Sequence, residues 1–169
     1  MTFDEVEIPT WTEPETLNFL ANLVRYAQFG VELGTYFGAS ARAMLRGNPY
    51  LHLWSVDHFQ VFGSRQISEM FLDRWIKSGN CELITGDSST ASKMLQHMNG
   101  KIDFVFVDDG HDTQQVATDI QFMLPLIRPG GTLCGHDFDI PHNDVALGVI
   151  QSGIKFDIPI PRLWRHVKQ

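Results

Sequence analysis

The sequence predicts an open, doubly wound α/β sheet, mostly parallel, with helices on both faces and an antiparallel strand at its C-terminal edge. Two observations carry that reading. Apolar runs at 30–33, 51–57, 81–87, 102–108 and 131–137 alternate with segments of helical period, and the later four end on Asp57, Asp87, Asp108 and Asp137. The first run passes into a helix through Gly34-Thr35-Tyr36-Phe37-Gly38, a turn whose glycines clear space for a bound molecule. In such sheets helices begin at the carboxyl ends of the strands with unpaired N–H groups, and ligands bind in the crevice there.

Taken in order, Thr12-Glu13-Pro14-Glu15 reads as a helix start, with Thr12 as the cap, an early proline and acids in the first turn. Leu17, Leu20, Ala21 and Val24 follow at helical spacing, and this helix is expected to cover the edge of the ligand site. Strand one covers 30–33 and a helix 39–45, ended by Gly47-Asn48-Pro49; strand two covers 51–56. Phe62, Ile67, Met70, Phe71, Trp75 and Ile76 make a helix within 59–78, stopped by Gly79-Asn80. Strand three precedes a short helix at 89–98, and strand four a longer one at 113–127 that Arg128-Pro129-Gly130-Gly131 closes. In the tail, 144–151 suits a helix, 154–160 a strand and 162–167 another, with Pro159 and Pro161 favouring an edge or a turn. No repeat or linker divides the 169 residues, so one domain is expected, with 1–28 an N-terminal helical region and 29–169 the core.

The 13 basic and 20 acidic residues leave a net charge of −7 without a Lys/Arg cluster. Phosphate binding needs a concentrated basic face, so the charge argues against a nucleic-acid partner. The first residues are acidic where a secretory leader is basic, and no run of about 18 apolar residues offers a membrane span. A cytoplasmic protein with a small-molecule ligand and no membrane partner is the expectation. Cys81 and Cys134 fall inside apolar strands, in no zinc-like spacing, and read as reduced structural thiols.

The glycine turn narrows the ligand. Tyr36 stands where the pyrophosphate of a nicotinamide dinucleotide needs close backbone approach, and no Gly-Lys-Ser or Gly-Lys-Thr cradles a nucleoside triphosphate. A cofactor without phosphates fits better. Val31 to Ser40, Ser55-Val56-Asp57-His58, Gly86-Asp87-Ser88, Phe106 to His111 and Arg128 to Asp137 together resemble the class I S-adenosylmethionine-dependent methyltransferases, whose sheet is Rossmann-like. More narrowly, Asp-x-x-His after strand four and Gly-His-Asp after strand five resemble the small-molecule subgroup that includes metal-dependent O-methyltransferases.

That resemblance implies S-adenosylmethionine as cofactor, across strands one to three. Gly34 and Gly38 let its methionine end approach the backbone, Glu32 helps to hold the ammonium end, and Tyr36 and Ser40 line the same pocket. Asp57 accepts hydrogen bonds from ribose hydroxyls. His58 and Phe59 flank adenine, and Asp87 with the backbone at Ser88 reads its amino edge, although Asp87 also suits a cap for the following helix. Of the neighbours Asp108 and Asp109 only one is expected to enter the site, because strand side chains alternate; family position selects Asp108.

Asp108 and Asp137 suit Mg²⁺ or another divalent cation, which takes oxygen ligands. The related catechol-type enzymes place Asn after the second Asp, where this chain has Phe138, so His136 either replaces the missing ligand, acts on protons or bonds a backbone carbonyl. His111 is the candidate general base, acting beside Asp108, since an ordinary pKa of about 6.5 suits proton removal near neutrality. His111, His136 and His142 are expected to gather at one site.

The implied activity is methyl transfer to an oxygen of a small acceptor. The competing expectation is a module that binds S-adenosylmethionine or an adenosine nucleoside without turnover, because a fold does not guarantee chemistry. The surfaces at 3–11, 61–71 and 138–143 are expected to select the acceptor, and their aromatics suit a partly apolar one. Apolar residues within 59–75 suit a homo-oligomer interface or a lid.

Overall fold

The computed structural model describes residues 7–139 and 143–169; Phe3 and His142 lie outside them. Seven strands form one sheet: β1 (Phe29–Leu33), β2 (His52–Asp57), β3 (Cys81–Thr85), β4 (Ile102–Val107), β5 (Ile127–Phe138), β6 (Asp157–Ile160) and β7 (Arg162–Val167). Their order across the sheet is β3-β2-β1-β4-β5-β7-β6. The first five run parallel, β7 pairs antiparallel with β5, and β6 returns antiparallel along β7. Helices α1 (Pro14–Leu23), α2 (Ala39–Gly47), α3 (Ser64–Lys77), α4 (Ser88–Met94), α5 (Thr113–Met123) and α6 (Asn143–Gln151) fill the intervals.

The central strands are apolar throughout because both of their faces are covered. Val31, Leu33, Val105 and Val107 pack with Ala91, Val116, Ile120 and Val149 from α4, α5 and α6. The alternate residues Leu53, Phe104, Phe106 and Cys134 pack with Leu20, Met44, Leu72 and Trp75 from α1, α2 and α3. Cys81 and Cys134 are free and buried, and burial pushes both thiols up to about 12. Among the described residues no helix is long and apolar enough to cross a membrane.

Several boundaries differ from the sequence reading, β6 among them, which starts at Asp157 and not at 154. Helix α1 begins at Pro14 with Glu13, not Thr12, at the cap, and the Glu13 side chain makes no capping bond. Proline suits the first helical position, where its missing N–H is unneeded. Helix α5 stops at Met123, followed by a 3-10 turn at Leu124–Leu126, and β5 starts at once at Ile127. Ile127 already pairs with Ile102, and a register shift before Phe104 absorbs the Pro129-Gly130 stretch that reads locally as a stop. Helix α4 is likewise shorter than 89–98, its last turn being a separate 3-10 segment at Gln96–Met98.

Register places the chemistry. Leu33 is level with Val56 and Val107, and Val107 with Gly135. The next residue on each strand, Gly34, Asp57, Asp108 and His136, therefore forms a row along the carboxyl edge. Strand order reverses between the neighbours β1 and β4, so the row spans the place where such sheets bind ligands.

Candidate active site

Gly34 is the closest approach in the row. Its φ is +90°, and a Cβ there would stand 2.1 Å from the Asp108 carbonyl oxygen, so no other residue fits. Its N–H donates to Val56 O at 2.8 Å, and Asp108 N–H donates to Leu33 O at 2.8 Å, which fixes the turn to both neighbouring strands. Tyr36 and Phe59 also adopt left-handed conformations, with φ of 49° and 52°. Each is held by Asp57: Tyr36 N–H donates to one carboxylate oxygen at 2.8 Å and Phe59 N–H to the other at 2.6 Å. Such backbones cost about 1–3 kcal/mol each and persist where the surroundings hold them.

Above this turn lies a cavity of about 670 Å³, the size of a small-molecule site. Gly34, Tyr36, Ser40, Asp57, His58, Asp108, His111, His136 and Asp137 line it, together with Thr10–Thr12, Val61 and Arg162. Asp109 lines it too, contrary to the expectation that only Asp108 would. Strand β4 ends at Val107, so the alternation of a strand does not govern the two acids beyond it. Burial raises Asp109, with nearby Asp57 adding to the effect.

Five residues expected at the ligand stand outside the lining, Phe59 among them. Glu32 is fully buried beneath the turn, accepts from the Ser55 hydroxyl at 2.8 Å and leaves Oε1 without a partner. Burial pushes its carboxyl up to about 7, against the pull of Ser40 and Ser55. Gly38, with φ 86°, occupies the cap position of α2. Asp87 caps α4: one oxygen accepts from Thr90 N–H and from the hydroxyls of Ser89 and Thr90, each at 2.8 Å, and these hold the carboxyl down at about 2. Ser88 is buried as the first residue of that helix.

The far wall is ionic. His111 Nε2 bonds Asp137 Oδ2 at 2.7 Å. Arg162 bridges Asp137 and Glu13 with its two terminal nitrogens and sets its Nε 2.6 Å from Asp139. His136 donates from Nε2 to Glu13 at 2.8 Å and turns Nδ1 towards Asp137 at 3.3 Å and Asp108 at 3.6 Å. Burial works against a charged His136 ring, but Asp108 and Asp137 outweigh it and push the ring up to about 10. Asp137 is held well below the carboxylate range despite its burial, by His111 and His136. Burial raises Asp108, with His136 pulling back. His136 and Asp137 both face the cavity because Asp137 sits at φ 56°, where pairing with β7 shifts register between Gly135 and Phe138.

His111 is raised by its bond to Asp137. Because an ionised Asp137 only accepts, Nε2 carries a proton and Nδ1 is the basic nitrogen of the neutral ring.

Asp108, His111 and Asp137 each place one donor atom within 4.8 Å of the others, the compass of a cation site. The expected ligand His136 is absent from that group: both of its nitrogens face carboxylates, so the ring carries two protons and has no lone pair to give. Asp137 is engaged as well, one oxygen by Arg162 and the other by His111. Phe138 offers no oxygen. A divalent cation needs several oxygen ligands with lone pairs turned to it, and this donor set, so engaged, does not fit one.

Glu13 and Arg162 are the residues sequence reasoning missed. Glu13 looks like a first-turn acid and Arg162 like an exposed charge on an edge strand, and neither has a local signal for the other.

Residues 31–138 match the family of methyltransferase domains. The fold is shared with the cofactor-bound MTB protein Rv0187, at 18% identity and TM-score 0.74 over 99% of this chain and 86% of that one. The O-methyltransferase from Bacillus cereus in complex with SAH superposes at 18% identity and TM-score 0.70 over 93% and 82% of the two chains. TomG from Streptomyces achromogenes, an O-methyltransferase of tomaymycin synthesis in complex with SAM, does so at 17% identity and TM-score 0.69 over 94% and 82%. No curated protein matches the chain in sequence.

Proposed function

The chain belongs to the methyltransferase-domain family, and from that premise we propose that it transfers a methyl group from S-adenosylmethionine to an oxygen of a small acceptor held beside His111. The observation that carries this reading is that one cavity is lined both by the turn of Gly34 and Tyr36 with Asp57 beneath it and by a histidine–aspartate pair.

On the donor side, Gly34 and Tyr36 present backbone and ring to the methionine end, and Asp57, at the end of β2, keeps lone pairs for ribose hydroxyls beyond the two amides it accepts. His58 lines the wall towards adenine. S-adenosylmethionine supplies an electrophilic methyl on a sulfonium, which becomes a neutral thioether when the methyl leaves. On the acceptor side, Trp11, 85% exposed, and Val61 give the cavity mouth an apolar rim that suits a partly apolar molecule. His111 Nδ1 takes the acceptor's hydroxyl proton as its oxygen bonds the methyl carbon. Asp137 orients that ring through Nε2 and stabilises the imidazolium formed. The remaining rate enhancement comes from holding nucleophile and methyl in line.

Calorimetric titration with S-adenosylmethionine and S-adenosylhomocysteine tests the donor site, and turnover with phenols, sugars and hydroxy acids tests the acceptor side. Binding without turnover in any acceptor class would favour a binding module, and no binding of either ligand would overturn the reading.

A further inference from the structure

Four side chains close a ring at the acceptor wall. Arg162 and His136 each bridge Glu13 to Asp137, so two cations alternate with two carboxylates. The ring joins the cap of α1, the end of β5 and the start of β7. Arg162 has φ 63° directly after Pro161, a conformation that a non-glycine residue keeps only when its surroundings hold it. Its side chain is 31% exposed and shares its charge among Glu13, Asp137 and Asp139.

We propose that the Arg162 guanidinium occupies the place of a divalent cation in this cavity, so that Asp137 and His111 are held in position without a metal. A cation entering between Asp108 and Asp137 would have to displace Arg162 from Asp137, breaking the ring, and would find the Phe138 side chain where a further oxygen is needed. Through Asp137 the guanidinium acts on His111, which makes Arg162 a positioning residue. The proposal rests on the methyl-transfer reading for its meaning. Its test does not.

Mn²⁺ is titrated into the full chain, with and without S-adenosylhomocysteine, and followed by electron paramagnetic resonance and calorimetry. The wild type is expected to bind no stoichiometric Mn²⁺, and chelator is expected to leave its affinity for S-adenosylhomocysteine unchanged. Arg162→Gln uncovers the Asp108–Asp137 pair and is expected to bind one Mn²⁺ at least about tenfold more tightly than wild type, the scale on which partners around a metal site act. Arg162→Lys keeps a charge there and is expected to behave as wild type. Should Arg162→Gln fail to fold, Glu13→Gln, which frees the guanidinium from its outer anchor, is expected to move Mn²⁺ affinity in the same direction.

One Mn²⁺ bound to the wild type and lost in Asp137→Asn would overturn the proposal. So would a folded Arg162→Gln that gains no Mn²⁺ affinity. Loss of S-adenosylhomocysteine binding by the wild type would strike the cofactor reading instead, so the two failures are distinguishable.

Discussion

Two aspartate–arginine pairs close opposite ends of the sheet. At the amino end, Asp103 bonds Arg128 Nε at 2.7 Å through one oxygen and accepts the N–H groups of Gln28 and Phe29, at 2.7 and 2.9 Å, through the other. Arg128 Nη1 donates to Pro129 O at 3.0 Å, so the pair, closed off by main-chain groups, stitches the entry of β1 to β4. At the carboxyl end, Asp137 is shared among Arg162, His111 and His136, and those groups are shared in turn with Glu13, Asp108 and Asp139. The same two residue types give a rivet where the aspartate's other partners are main-chain amides. They give a network where charges are shared among side chains and the His136 ring is pushed up to about 10.

The sharpest way to break this contrast is at His111. His111→Gln is expected to lower kcat by about 10²–10⁴-fold, the usual share of a general base, with S-adenosylhomocysteine affinity unchanged. Arg128→Gln at the other end is expected to leave kcat unaltered. An equal loss in both variants would show that the two ends do not differ in kind.

Next in size is Asp57→Ala. It removes the acceptor of the Tyr36 and Phe59 amides and, on the proposed reading, of the ribose, and calorimetry is expected to show about a 10–100-fold weaker S-adenosylmethionine affinity, equivalent to one or two charge-assisted hydrogen bonds.

Asp103→Asn is expected to cost about 2 kcal/mol in urea melts without touching turnover. Burial raises Asp103, but the Phe29 amide, Arg128 and the Gln28 amide outweigh it and hold the carboxyl below its ordinary value. Its contribution is therefore complete above about pH 4 and is lost as pH falls through the lower folded value, a slope the variant should lack. His136 has the opposite sign. Its folded pKa of about 10 lies above the ordinary 6.5, so its contribution is complete below pH 6.5 and is lost as pH rises through 10. Glu13→Gln is expected to shrink that alkaline loss, the smallest effect of the set, read as melting temperature against pH.

What the sequence disclosed follows the same division. Asp57, Asp108 and Asp137 were legible because a strand's end is a local event, marked by an apolar run meeting an acid and a turn. The start of β5 was not, because Arg128-Pro129-Gly130-Gly131 carries turn chemistry that only pairing with β4 converts to strand. Pairing and register likewise decide that Asp109 joins Asp108 at the cavity and that His136 is a trapped cation. Helical period identified α1, yet nothing within its first turn says that Glu13 turns from capping to meet Arg162.

Glu13 and Arg162 meet across 149 positions of chain, and β7 follows every other strand of the sheet. The cradle of Gly34 and Asp57 needs only β1, β2 and β4, all of them written by residue 107. During synthesis that turn can thus assemble while the wall of Glu13 and Arg162 is still missing, and closing so long a loop is among the slow events of folding. A chain whose final hairpin has peeled away would keep the turn of Gly34 and Asp57 and lose the guanidinium that holds Asp137, the partner of His111.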